Sequence, residues 1–153
     1  MKFRQFLETS YMDEEKQDVQ KTLAKLPPSH AALVNGFQWK FHAGNTLDGD
    51  TQHVGYMDSG NREIAVAAPY NYGREFTILH EIAHRVWEHM NSNLKRHWNQ
   101  LAQDMTDHQK QDKSVNQEPE EKFCMAYAQH YAKNKLVKFA NPKWDQFIAQ
   151  LPA

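Results

Sequence analysis

The chain has 153 residues, enough for one domain whose hydrophobic core needs no disulfide staple. Apolar residues make up 40% and aromatic residues 12%, with only six Gly and six Pro, which excludes disordered and fibrous proteins. Eighteen basic residues against 19 acidic ones, scattered along the chain, leave a net charge of −1 and no electrostatic case for nucleic-acid or membrane partners.

One cysteine, Cys124, rules out an internal disulfide and suits a reducing compartment. Charges occupy Met1 to Glu8, where a signal peptide needs an apolar run, and no apolar stretch approaches the ~20 residues of a membrane span. The expectation is a soluble, cytoplasmic monomer folded as a single domain over residues 1–153, with cell lysis or non-classical secretion as routes out. Nine histidines raise the prior for metal binding without saying which of them matter.

In chain order, Val19, Leu23 and Leu26 keep helical spacing until Pro27-Pro28 ends the element. Pro28 to Val34 reads as a short helix closed by Asn35-Gly36. Phe37 to Phe41 alternates apolar and polar residues, as a half-buried strand does, and Gly44 to Asp50 is a loop. Val54 to Met57 and Glu63 to Ala68 are strands joined by a turn at Asp58-Ser59-Gly60-Asn61, hence a hairpin. After Pro69 the pattern is helical. One helix runs from Arg74 to about Met90, and a second carries Leu94, Trp98, Leu101 and Met105 on one face. Asp107 to Gln117 reads as a loop. Glu118-Pro119-Glu120-Glu121 opens a helix that runs to about Phe139, and Asn141-Pro142 caps a last one with Trp144, Phe147, Ile148 and Leu151 inside. The predicted architecture is α+β, a small antiparallel sheet preceding a helical half.

The chemistry is concentrated in His80-Glu81-Ile82-Ala83-His84. Helix positions four apart share a face, so both imidazoles can meet one metal, while Glu81 reaches a metal-bound water without ligating the ion. With this chain's His and Glu content, H-E-x-x-H arises by chance in about 3% of sequences, so the motif is specific. Two satisfied core histidines beside a surface glutamate are the bland alternative. A third ligand must come from another element. Glu121 is the first choice, Glu120 the next, and Asp104, Asp107 and His108 follow. As a first-turn carboxylate, Glu121 could equally do no more than complement the helix dipole. Glu88, one turn beyond His84, suits a supporting or solvent role. His30, His42, His53, His89 and His97 read as loop or surface residues, and His130 as core-edge or surface. Cys124 reads as a packing residue, with zinc binding as the lesser alternative.

Phe76 to His84, followed by Glu121-Lys122-Phe123-Cys124-Met125-Ala126-Tyr127, resembles the glutamate zincins, most closely the catalytic domain of anthrax lethal factor and its relatives. The likeness implies a zincin-like fold, zinc held by His80, His84 and Glu121, and Glu81 as the catalytic base. Cys124 stands where that family has alanine. Asn141-Pro142-Lys143 with Phe147-Ile148 resembles its C-terminal helix, and Gly55-Tyr56-Met57-Asp58 through Val66 its substrate-edge hairpin. The repressor-cleaving ImmA/IrrE peptidases are a second resemblance, carried by Arg74-Glu75-Phe76-Thr77-Ile78-Leu79-His80. They imply the same ligands and base but a different substrate. Lethal-factor relatives place an oxyanion-stabilising tyrosine shortly before the glutamate ligand, and this chain has no tyrosine between His84 and Glu121. His108, Lys113, Tyr72 and Tyr70 are the remaining candidates for that donor.

The expected activity is zinc-dependent hydrolysis of peptide bonds in a peptide or protein substrate. The strand bearing Ile64, Ala65, Val66 and Ala67 is the expected edge for an extended substrate. The rival is a zinc-stabilised binding or regulatory domain with weak or no catalysis.

Overall fold

The computed structural model of the protein describes residues 14–43, 55–68, 73–112, 115 and 117–152. A first helix, α1 (14–24), is followed by α2 (Pro28–Ala32) and three strands, β1 (Gln38–Ala43), β2 (Gly55–Asp58) and β3 (Glu63–Ala68). The helical half comprises α3 (Arg74–His89), α4 (Ser92–Leu101), α5 (Asp107–Gln111), α6 (Pro119–Tyr131), a 3-10 turn (Val137–Phe139) and α7 (Pro142–Ala149). The class is α+β, as expected. No helix among the described residues is long and apolar enough to cross a membrane.

The sheet is mixed rather than antiparallel. β2 and β3 form the expected antiparallel hairpin, with Asp58 accepting from both the backbone and side-chain nitrogens of Asn61 in the turn. β1 lies on the other edge of β3 and runs parallel to it, Trp39 opposite Ile64 and Phe41 opposite Val66. Apolar–polar alternation shows that a strand has a buried face, but it carries no information on which way a neighbour runs.

The strand order β1-β3-β2 also overturns the expected substrate edge. Ile64, Ala65 and Val66 are paired on both sides, so an extended peptide cannot add there without displacing a strand. Ala67 pairs with β1 as well. The run Ile-Ala-Val has no exposed member because β3 is buried on both faces, the pattern of a central strand.

Helix α3 lies between the sheet and α6, burying Phe76, Ile78, Leu79, Ile82, Ala83 and Val86. Its contact with α6 is the largest between any two helices. Helices α4 and α7 pack on the opposite side of α6 around Trp98, whose ring meets Phe123, Trp144 and Phe147 at centroid distances of 5.1–5.6 Å. The Trp98 indole N–H donates to the Pro119 carbonyl at 2.7 Å, and buried Lys122 donates to the Ala102 carbonyl at 3.2 Å. The first turn of α6 is thereby tied to α4.

Helix α4 ends at Leu101, so Met105 lies beyond it and not on its face, and two further features differ from expectation. Helix α6 stops at Tyr131 because Lys135 Nζ takes up the carbonyls of Gln129 and His130 at 2.6 and 2.7 Å, while Gln129 Oε1 accepts from the Leu136 amide. Within the expected loop, Thr106 and Gln109 form a reciprocal capping box that starts α5. Buried Gln109 also accepts from Asn141 Nδ2 at 3.0 Å, and the Asn141 side-chain oxygen caps α7.

Candidate metal centre

His80 and His84 sit one turn apart on α3, ring centroids 5.1 Å apart and planes nearly perpendicular. Glu121, in the first turn of α6, reaches both. Its Oε2 lies 3.0 Å from His80 Nε2 and its Oε1 3.2 Å from His84 Nε2. One carboxylate thus bridges the two nitrogens that the HExxH spacing brings to one side. Glu120 turns to the outer side of the ring, its Oε1 3.1 Å from His84 Nδ1, and so does not join the convergence point. Cys124, one turn beyond Glu121 and fully buried, approaches the two imidazoles from the same helix as Glu121. Donor atoms of His80, His84 and Cys124 all lie within 4.8 Å of one another, whereas Glu121 is not itself within that distance of the whole trio.

The electrostatics follow from this crowding. Burial disfavours charge on His84, but bonds to Cys124 and Glu121 outweigh it and hold the imidazole protonated, its pKa raised to about 12. Carboxylate oxygens facing both ring nitrogens are what an imidazolium requires. Burial likewise opposes the Glu121 carboxylate, yet His80 and His84 hold its pKa well below the usual range. Burial pushes the Cys124 thiol up to about 12. Glu121 keeps 30% of its side-chain surface exposed, so the cluster opens to solvent on the α6 side.

Glu81 lies between the cluster and the sheet, within electrostatic reach of His84 and Cys124, and is only 4% exposed. Its carboxylate lies against the backbone of Gly55 at the start of β2. A Cβ built on Gly55 would fall 2.9 Å from Glu81 Oε1 and 2.9 Å from the Ala65 carbonyl. Gly55 is therefore required for space. The hairpin is held to α3 at its far end by Ser59 Oγ, which donates to Glu88 at 2.5 Å, while Arg85 pairs with the same carboxylate at 3.0 Å. This gives Glu88 a supporting, surface role.

The residues fit a zinc ion. Two imidazoles, a carboxylate and a thiol are the donor types that zinc takes, and they come from two packed helices. His80 Nδ1, the ring nitrogen that does not face Glu121, is buried with no hydrogen-bond partner.

Other candidates lie elsewhere. Asp104 pairs with Lys143, and Asp107 and His108 are exposed on α5, which packs against the 3-10 turn. Tyr70, Tyr72, Lys113 and His53 lie outside the described residues, as do the 44–50 loop and the first strand residue, Val54. His89 and His97 are exposed, and His130 bonds Asp145 at 2.6 Å near the surface. His30 corrects the surface reading. It is buried, with Nδ1 2.9 Å from the Tyr127 hydroxyl and Nε2 2.9 Å from the Pro152 carbonyl. No local pattern announces this, because both partners are distant in the chain. Gly55 and the outer role of Glu120 were also missed, although its place next to Glu121 was a usable signal.

No protein-family model, curated protein or solved structure matches the chain. The chemistry of the site therefore rests on its own donor set and geometry.

Proposed function

We propose that the protein is a zincin-type, zinc-dependent metalloendopeptidase in which His80, His84 and Glu121 hold the metal and Glu81 is the general base. The reading is carried by one observation, the meeting of both HExxH Nε2 atoms with the two oxygens of a single carboxylate on a separate helix. When bound, zinc supplies Lewis acidity, bringing the pKa of a water in an open position toward ~7 and polarising the scissile carbonyl.

The chain's own groups do the rest. Glu81, enclosed between α3 and Gly55, takes a proton at its carboxylate and returns it to the leaving amine. Glu120 accepts from Nδ1 of His84 and so fixes that ring's orientation. Among the described residues β2 is the edge strand that packs against α3, and its outer side would offer backbone groups to an extended peptide. A peptide aligned there passes beside Glu81.

The test is digestion of a peptide library with and without chelator, repeated with Glu81→Gln. Chelator-sensitive cutting that the variant loses while keeping one zinc per chain is the expected result. A variant that cuts at the wild-type rate excludes Glu81 as base. Cys124 favours a second reading, since four protein donors make the closed set of structural zinc sites. Unfolding on chelation, with no cutting by the loaded protein, would favour that zinc-stabilised binding or regulatory domain.

A further inference from the structure

We infer that Cys124 is a fourth protein donor to the metal, making the centre a His80–His84–Glu121–Cys124 site whose thiolate competes for the position a catalytic water needs. The inference rests on the metal-site reading above and adds a means of holding that site in check.

The geometry is that of two helices each contributing two donors. His80 and His84 are spaced i, i+4 on α3, and Glu121 and Cys124 are spaced i, i+3 on α6, so each pair projects from one helix face. The two faces meet in the largest helix–helix contact of the fold. Zinc bonds of ~2.3 Å to sulfur and ~2.0–2.1 Å to nitrogen place tetrahedral donors about 3.5 Å apart. The donor atoms of His80, His84 and Cys124 already lie within 4.8 Å of one another, so these three close by at most about 1.3 Å, and Glu121 joins them through its oxygens 3.0 and 3.2 Å from the two Nε2 atoms.

A buried cysteine is often only a small apolar residue. Cys124 does belong to the buried core, but its sulfur also lies within 4.8 Å of donor nitrogens of both imidazoles, a proximity that an apolar packing role does not require. Coordination puts the sulfur on the metal as thiolate and releases its proton to solvent. With sulfur bound, the set is closed and Glu81 has no water to act on. With sulfur off, three donors and an open position remain.

Cobalt(II) replaces zinc and reports on its ligands. Wild type, Cys124→Ala and Cys124→Ser are titrated with cobalt alone and followed by absorption, with bound cobalt counted after desalting. The expected wild-type spectrum has a near-ultraviolet sulfur-to-cobalt charge-transfer band. Both variants bind cobalt without that band, and their zinc affinity falls on the order of 100-fold, at the upper end of what lost supporting partners cost. Glu121→Gln keeps the band. Stoichiometric cobalt with no charge-transfer band in wild type overturns the inference while leaving the three-ligand site standing, as does a band that survives in Cys124→Ala. Failure of folded wild-type protein to bind cobalt or zinc overturns both this inference and the metal-site reading.

Discussion

Gly55→Ala is the sharpest perturbation of the proposed base, because it replaces neither a ligand nor Glu81 itself. The new methyl would lie 2.9 Å from both Glu81 Oε1 and the Ala65 carbonyl, about 0.5 Å short of the 3.4 Å at which ordinary contact begins. The Ala65 carbonyl belongs to the central strand, held on both sides, and cannot yield cheaply. The carboxylate is the far end of a flexible side chain and yields more readily. Overpacking of this kind costs ~1–3 kcal/mol of stability. Since a ~1 Å misplacement of a catalytic group can cost ~10²-fold, a displacement of half that size is expected to lower kcat by roughly 10- to 100-fold. The assay is turnover of a fluorogenic peptide cut by wild type, alongside zinc content and a urea titration. Zinc should stay at one per chain, since no ligand is touched. A Gly55→Ala protein with wild-type kcat and wild-type pH profile would refute the placement of Glu81 against β2 as the source of its reactivity.

Other consequences are as direct. Glu120→Ala should weaken zinc binding about 10- to 100-fold in competition with a chromogenic chelator, and Glu120→Gln, which keeps an acceptor for His84 Nδ1, should recover part of it. Equal affinities in all three proteins would remove Glu120 from the site. Trp98→Phe leaves the Pro119 carbonyl without its 2.7 Å donor and should cost roughly 1–3 kcal/mol by urea unfolding. Burial, only partly offset by the bond to the Pro152 carbonyl, lowers the pKa of His30 from 6.5, so the unfolded chain binds the proton more readily. The stability His30 contributes is thus complete above about pH 6.5 and is lost as pH falls through that value toward the folded pKa. Because His84 is shifted upward, its contribution changes only above pH 6.5, so the difference between wild type and His30→Gln below that pH isolates His30. A difference independent of pH between 7 and 5 would contradict the assignment.

Much of the fold was legible because the punctuation is strong. Pro27-Pro28, Asn35-Gly36, the Asp58–Asn61 turn and Asn141-Pro142 all mark real boundaries, and β3 begins and ends where expected. The elements that were misread are governed by distant partners. Whether β1 runs with or against β3 depends on a crossover that no local pattern encodes. The end of α6 is set by Lys135 reaching back to two carbonyls, which a helical apolar stripe cannot reveal. Two misses were avoidable. Thr106-Asp107-His108-Gln109 is a capping-box sequence that announces α5, and the unalternating Ile64-Ala65-Val66 announces a central strand, not an edge. In the site, spacing alone brings His80 and His84 together on α3. Glu121 needed the α3–α6 packing to reach them, and the proximity of Cys124 is a tertiary fact that composition obscures.

The two helices that carry the donors are positioned by contacts that involve no metal. At the start of α3, Arg74 pairs with Asp18 at 2.6 Å and Glu75 with Lys25 at 2.5 Å, tying that helix to α1 and the segment after it. At the start of α6, Trp98 and Lys122 bind carbonyls across the α4–α6 contact, and the Phe123 ring is enclosed by Trp87 and Trp98. Small zinc domains work in the opposite order, with the ion supplying the free energy that a missing core cannot. Here a core of Trp98, Trp144, Tyr127 and Phe123, all nearly inaccessible, stands behind the donors. The cost of gathering two imidazoles, a carboxylate and a thiol at one point is met by that packing before any ion arrives. Such preorganisation serves a centre that must keep its geometry while a ligand position changes hands. It fits the proposed reactive site, which Cys124 would close, better than it fits a staple.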